Sequence, residues 1–407
     1  MKEIYLDHAA TTHVDPRVKA AMDQYWTEEF GNPGSFHTAG LRALRALNAA
    51  RASVAKALNC ASEELIFTGS GTESINTAIK GVFRAAKAAH SPKKHIIAGA
   101  TEHPAVLETC EYLAKHEGAE VTLVPVDKNG QVQPAELEKA IRPDTLLISI
   151  MYANNEIGTI NRIAELSAVA KRHRVLFHTD ACQAAGVLEL DVKKLGVDLM
   201  TINGSKLYAP KGVGALYVRR GIQIHPLIHG GGQEHRMRSG TENVPLIIAF
   251  ATALQLAQEE KNVENARLIA LRDKLVAGIL STVPKTFLNG HPTERLPNNV
   301  NISFMDVEGE ALLLYMNEEG GICASTGSAC TSKSLDPSHV ILALGLPYEA
   351  SHGSIRFTLG KYTTEEDIAK VISVLPAIVH KLRRISPVNL NMKDVLPQER
   401  LQEVRVK

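Results

Sequence analysis

Lys206 stands in the segment DLMTINGSKLYAPKG, at the end of an apolar run and ahead of a glycine-rich hairpin that contains Lys211. A lysine drawn into a pocket gives up its proton more readily, and the free amine can then attack a carbonyl to form a Schiff base. A second apolar run, VLFHTDACQAAG, ends on Asp180, with Gln183 a few residues further on. Asp180 there either caps the next helix or faces a cationic ring nitrogen. FTGSGTES (67–74) places small residues, Gly71 and Thr72 among them, between a strand and a helix. Backbone N–H groups at such a turn make a seat for an anion such as phosphate. No Gly-Lys-Ser/Thr follows, so the turn is not a P-loop. MYANNEIGT offers Asn154, Asn155 and Glu156 at another strand end, as turn formers or as site residues. TEHPAV puts His103 at a helix start, where it is either a cap or a functional group. An amine, a carboxylate and a phosphate seat at successive strand ends together meet the needs of pyridoxal phosphate.

A thiol adds a second kind of chemistry. The stretch GGICASTGSACTSKS (320–334) sets Cys330 among Gly, Ser and Thr. A cysteine kept for packing has bulky apolar neighbours, whereas these residues spell an exposed polar loop. The chain has 5 cysteines and no C-x-x-C pair, which fits reduced thiols better than a disulfide framework. Cys323 sits in a more apolar context and reads as structural, as do Cys60, Cys110 and Cys182.

The elements that must position these groups alternate between apolar runs and amphipathic stretches. ELIFTG, HIIAGA, EVTLVPV, TLLISIMYAN, VLFHTDA, VDLMTING and GALYVRR read as strands, most of them followed by a helix. That order predicts an α/β domain with a mostly parallel sheet, covered on both faces, binding ligands beyond the carboxyl ends of its strands. After RSGTEN (238–243) the pattern changes to a long helical tract, then shorter strands and helices. The expected division is a large cofactor-binding domain over 16–261 and a smaller α+β domain. The smaller domain joins the N-terminal segment 1–15 to residues 262–385 and carries the cysteine loop, and 386–407 reads as a polar tail.

Composition narrows the function classes. Apolar residues make up 44% of the 407-residue chain and charged residues 22%, enough for a sizeable core. A net charge of +1, spread along the chain, gives no support to a nucleic-acid or anionic-membrane surface. The N-terminus MKEIYLDHAATT lacks the apolar core of a signal peptide, and no run approaches the roughly 18 apolar residues of a membrane span. The expectation is a cytoplasmic protein.

The segments YLDHAATT, FGNPGSFH, TEH, NNEIGTI, HTDACQ, SKLYAPKG, RSGTEN, STGSACTS and SIRFTLG occur in an order and at spacings similar to those of one enzyme family. Over residues 5 to about 385 the chain resembles the cysteine desulfurases of iron–sulfur cluster assembly (NifS/IscS type). These are class V aminotransferases of the fold-type I pyridoxal phosphate enzymes. The resemblance implies that Lys206 bonds the cofactor and moves the substrate Cα proton, and that Asp180 pairs with the pyridinium nitrogen. It implies that His103 stacks on the ring, that Asn155 and Gln183 bond near it, and that Gly71 and Thr72 donate to the phosphate. Thr241 would reach the phosphate of a neighbouring subunit, making a homodimer. Arg356 suits a bidentate clamp on the carboxylate of L-cysteine, with Asn155 beside it. Cys330 would take the sulfur as a persulfide and pass it to a scaffold or acceptor protein. No intrinsic metal is implied, though Cys330 could ligate an iron–sulfur cluster transiently through its persulfide.

The chain departs from the family before the lysine. The usual Ser-x-His-Lys is here Asn203-Gly204-Ser205-Lys206. Asn203 and Ser205 can still donate to a phosphate but bring no charge, so weaker cofactor binding is expected. Two rival readings are another class V activity (an aminotransferase, which has no use for a loop thiol, or a lyase releasing selenium instead of sulfur) and a non-catalytic scaffold.

Overall fold

The computed structural model describes residues 3–326 and 337–396. Cys330 lies outside the described residues. In chain order the strands are β1 (Ile4–Tyr5), β2 (Leu65–Thr68), β3 (His95–Gly99), β4 (Glu120–Val124), β5 (Thr145–Ser149) and β6 (Leu176–Asp180). They continue with β7 (Leu199–Asn203), β8 (Gly214–Val218), β9 (Thr286–Leu288), β10 (Asn299–Phe304), β11 (Ile322–Cys323) and β12 (Ser354–Thr358).

A 7-stranded sheet, in the order β2-β8-β7-β6-β5-β3-β4, forms the centre of the larger unit. The pairings from β4 through β3, β5 and β6 to β7 are parallel, and β8 runs antiparallel to both β7 and β2. The expected mostly parallel α/β sheet is therefore present. Strands β2, β3 and β5 are buried along their whole length because helices cover both faces. Alternation sorts their side chains between the two faces of the sheet: Leu65, Phe67, Ile97 and Ile148 pack on one, and Ile66, Ile96, Ala98 and Leu147 on the other.

A second assembly contains the 3-stranded antiparallel sheet β12-β10-β9 and the parallel pair β1-β11. Its core gathers Val300, Ile302, Phe304, Ile355 and Phe357 with Leu375 of the helix Glu365–Ile385. The 39-residue helix Val244–Thr282 serves both cores. Phe250 and Leu254 pack in the first, and Leu268, Leu275 and Ile279 in the second. The N-terminal chain makes the opposite crossing: Ile4 and Leu6 lie in the second core, and Val18 and Met22 in the first. Residues 7–15 thus run between the two cores, along the wall of the site described below.

Part of the segment read as a polar tail is packed. Residues Met392–Val395 form a short helix, and Met392 and Leu396 are buried against Phe287, Met305 and Ile341. Lys285 Nζ donates to the Leu390 carbonyl at 2.8 Å and to Asn389 Oδ1 at 2.7 Å. Two apolar residues one helical turn apart are too few for a periodic signal, so this docking has no signature in the chain.

Candidate active site

A cavity of about 350 Å³ opens beyond the carboxyl ends of the parallel strands. Its walls include Gly71, Thr72, His103, Asn155, Asp180, Gln183, Asn203, Lys206 and Arg356, together with Ala9, Ala10 and Cys182. The sequence-derived candidates Gly71, Thr72, His103, Asn155, Asp180, Gln183, Asn203, Lys206 and Arg356 are thereby brought together. Ser205 is buried next to Lys206 but does not line the cavity. Thr241 lies in a separate hollow of about 180 Å³ with Thr68, Gly69 and Arg238.

Local sequence explains each placement. The helix Gly71–Ala88 begins directly after β2, and Ser70 caps it by accepting from the Glu73 N–H at 3.1 Å. A Cβ on Gly71 would come within 2.8 Å of Cys182 Sγ, so only glycine lets this helix start approach the turn after β6. His103 caps the helix Pro104–Glu117, its Nδ1 accepting from the Ala105 N–H at 3.0 Å. That bond puts the ring proton of neutral His103 on Nε2. Burial lowers the His103 pKa, opposed by the charge of Asp180 and reinforced by that of Lys206. Asp180, the last residue of β6, accepts from the Cys182 N–H at 2.9 Å through one carboxylate oxygen. That contact caps the turn, the first of the two sequence readings of Asp180.

Asn154 and Asn155 are placed differently in their turn. Asn154 builds it, accepting from the N–H groups of Glu156 at 2.8 Å and Ile157 at 3.0 Å, while Asn155 lines the cavity. Asn203 Oδ1 accepts from the Ser205 N–H at 3.4 Å, so its amide nitrogen is the side able to donate to an anion.

The opposite wall comes from the smaller sheet and the N-terminal crossing. Arg356, on β12, is 3% exposed. Its Nη2 donates to Asp7 Oδ1 at 2.8 Å and its Nη1 to the Asn155 carbonyl at 3.2 Å. Its Nε is buried without a partner among the described residues. Gln183 Nε2 donates to the Ala9 carbonyl at 3.1 Å, and Lys206 Nζ donates to the Ala10 carbonyl. Thr12 donates through both N–H and Oγ1 to the Ser205 carbonyl, at 3.0 and 3.1 Å. Sequence reasoning missed these contributions of Asp7, Ala9 and Ala10. The available signal was a charged residue and small residues immediately following a strand. It also missed Glu102, whose Oε1 accepts from the Met151 N–H at 2.7 Å and whose complete burial holds its pKa well above the usual range.

The cysteines of the described residues are all held as thiols. Burial pushes Cys60 and Cys110 up to about 12 and raises Cys323. Cys182, which touches the cavity, is raised well above its ordinary value by burial and then by the charge of Asp180. A thiol held protonated is a poor nucleophile.

Residues 4–371 match the family described as Aminotransferase class-V. This chain belongs to that family. It is 52% identical over 386 residues to the cysteine desulfurase IscS of Methanosarcina thermophila, covering 95% of this chain and 94% of that one. A solved NifS-like protein, 38% identical, superimposes with a TM-score of 0.87 over 94% of this chain and 100% of its own. A structure of SspA in complex with cysteine, 34% identical, gives a TM-score of 0.78 over 89% of this chain and 100% of its own. Family membership makes this class-V protein a pyridoxal phosphate enzyme of fold-type I. Its cavity fits that cofactor: it joins an amine, a carboxylate and a helix start whose glycine cradle has no room for a side chain. No helix of the described residues is long and apolar enough to cross a membrane.

Proposed function

We propose that this class-V enzyme is a cysteine desulfurase that converts L-cysteine to L-alanine and passes the sulfur to Cys330 as a persulfide. The observation that carries the reading is the single cavity in which Lys206, Asp180, His103 and the Gly71–Thr72 helix start face Arg356. Bound pyridoxal phosphate supplies an electron sink for the charge left when the Cα proton departs. Lys206 would hold the cofactor through Nζ and afterwards move the Cα proton. Asp180 would pair with the ring nitrogen and keep it cationic, and Gln183 and Asn155 would bond near the ring. The helix start at Gly71 and Thr72, helped by Asn203, would seat the phosphate.

Arg356 binds the substrate carboxylate, since its side chain lines the same cavity as Lys206. His103 carries its proton on Nε2 and is placed to give or take one beside the substrate. The Cys330 thiolate attacks the substrate sulfur: an S–S bond forms, the Cβ–S bond breaks, and the carbon takes up a proton on the way to alanine. The persulfide sulfur then passes to a scaffold or acceptor protein of iron–sulfur assembly, with Cys330 as a transient cluster ligand. The enzyme works in the cytoplasm as a homodimer, with Thr241 reaching the partner subunit's phosphate. The division into a large domain over 16–261 and a smaller one over 1–15 and 262–385 puts the cofactor on one and the Cys330 loop on the other.

The test is incubation of the purified protein with pyridoxal phosphate and L-cysteine, with alanine and protein-bound sulfur measured together. Equal yields of the two, with about 32 Da added to the Cys330 peptide (one sulfur atom), are expected from the wild type. Cys330→Ser should add no mass. Alanine formation undiminished in Cys330→Ser, or the added mass on Cys323 or Cys182, would overturn the reading.

A further inference from the structure

Asp7 follows β1 in the N-terminal crossing, and its backbone is fixed against β12. Asp7 bridges to Thr358, the Thr358 N–H donates to the Leu6 carbonyl at 2.7 Å, and Tyr5 Oη donates to the Asp7 carbonyl at 3.1 Å. Thr358 and Arg356 point to the same face of β12, since strand side chains alternate. Pairing with Thr358 therefore delivers the Asp7 carboxylate to the Arg356 guanidinium, 2.8 Å away.

Among the described residues this is the carboxylate bonded to Arg356, whose side chain is 4% exposed against 20% for that of Asp7. A buried guanidinium without a counterion is strongly destabilising, so Asp7 supports Arg356 whenever the cavity holds no anion. The geometry also fixes direction. Asp7 takes a hydrogen of Nη2 and the Asn155 carbonyl one of Nη1, leaving Nε–H as a buried, unspent donor. A guanidinium has five N–H groups in one plane, so pinning both terminal nitrogens sets where the remaining donors point.

We propose that Asp7 is a positioning residue for substrate, orienting the Arg356 guanidinium toward the cavity and acting as its counterion until the α-carboxylate of the amino acid arrives. This rests on the reading of Arg356 as the carboxylate clamp. Asp7 touches neither the reacting atoms nor the cofactor seat and acts through Arg356. Its loss should weaken substrate binding more than it slows the bound substrate's reaction.

The experiment compares holoenzyme with Asp7→Ala, Asp7→Asn, Arg356→Gln and the Asp7→Ala/Arg356→Gln double variant, each assayed for KM and kcat with L-cysteine. Losing a charge-assisted hydrogen bond that orients the clamp should raise KM in Asp7→Ala by about ten- to a hundredfold, with a smaller change in kcat. Asp7→Asn keeps an acceptor oxygen in place but not the charge, and should recover part of that loss. In the Arg356→Gln background, Asp7→Ala should add nothing, because the two residues act as a unit. If Asp7→Ala does not fold, Asp7→Glu replaces it; shifting the carboxylate by one methylene should raise KM, and only while Arg356 is present. An unchanged KM in Asp7→Ala, equal losses in the Asn and Ala variants, or additivity in the double variant would overturn the inference. Should Arg356→Gln itself leave KM unchanged, the clamp reading fails and the role of Asp7 with it. A rise in KM for Arg356→Gln but not for Asp7→Ala removes Asp7 alone.

Discussion

The two walls of the cavity are built by different means. On the large-sheet side, Asp180, His103, Asn155 and Lys206 stand at or just beyond strand ends, each placed by the turn that follows its strand. On the other side Arg356 sits within an antiparallel strand, buried, and is held by an ion pair to a residue 349 positions away in the chain. The first wall needs only local structure and parallel neighbours. The second exists only when the N-terminal crossing lies against β12. The contrast teaches that the groups proposed to handle the cofactor are set by secondary structure, while the group proposed to handle the substrate is set by the joining of the two cores.

The largest effect should come from the first wall. Lys206→Ala should abolish formation of both alanine and sulfide, measured by amino-acid analysis and a sulfide assay, while far-UV circular dichroism stays native. Lys211, which lines a different hollow, should tolerate the same change. Retained turnover in Lys206→Ala would move the amine to another lysine and erase the distinction between the walls.

A second test addresses what supports the first wall from beneath. His178 shares the Asp180 face of β6 and bonds Ser149 Oγ of β5 at 2.8 Å and Thr201 Oγ1 of β7 at 3.0 Å. Complete burial lowers its pKa from 6.5 to about 4. The unfolded chain therefore binds a proton that the native one refuses in this window, so stability is full above pH 6.5 and is lost as pH falls toward 4. The loss should be about 3 kcal/mol. In denaturant titrations across that window, His178→Gln should flatten the slope of stability against pH. An unchanged slope would show that other groups dominate acid unfolding.

The smallest effect belongs to the phosphate seat. Ser205→His should tighten pyridoxal phosphate by about tenfold, the lower range for one charge-assisted hydrogen bond, in titrations of apoprotein followed by absorbance. Ser205 is buried and lies off the cavity wall, so the added imidazole must displace neighbours to reach the phosphate. Unaltered or weaker affinity would mean that the helix start and Asn203 already supply what the histidine provides elsewhere in the family.

Much of this protein was legible in the chain alone. Fully buried parallel strands must be continuously apolar, and their ends must turn, so ELIFTG, HIIAGA and TLLIS announced the sheet while Asp180, His103 and Lys206 marked its ligand-binding edge. The family resemblance added Arg356, Thr241 and the role of Cys330, which local pattern could not supply. Other features had no sequence signature. The raised pKa of Glu102 comes from complete burial, and burial depends on what packs around a residue rather than on its neighbours in sequence. The separation of Asn154 from Asn155 depends on which of two adjacent amides turns inward. The docked segment through Leu396 uses too few apolar residues to show a period. The bond between Asp7 and Arg356 forms because β12 lies beside the N-terminal crossing, and a pairing so distant along the chain is decided by tertiary packing alone.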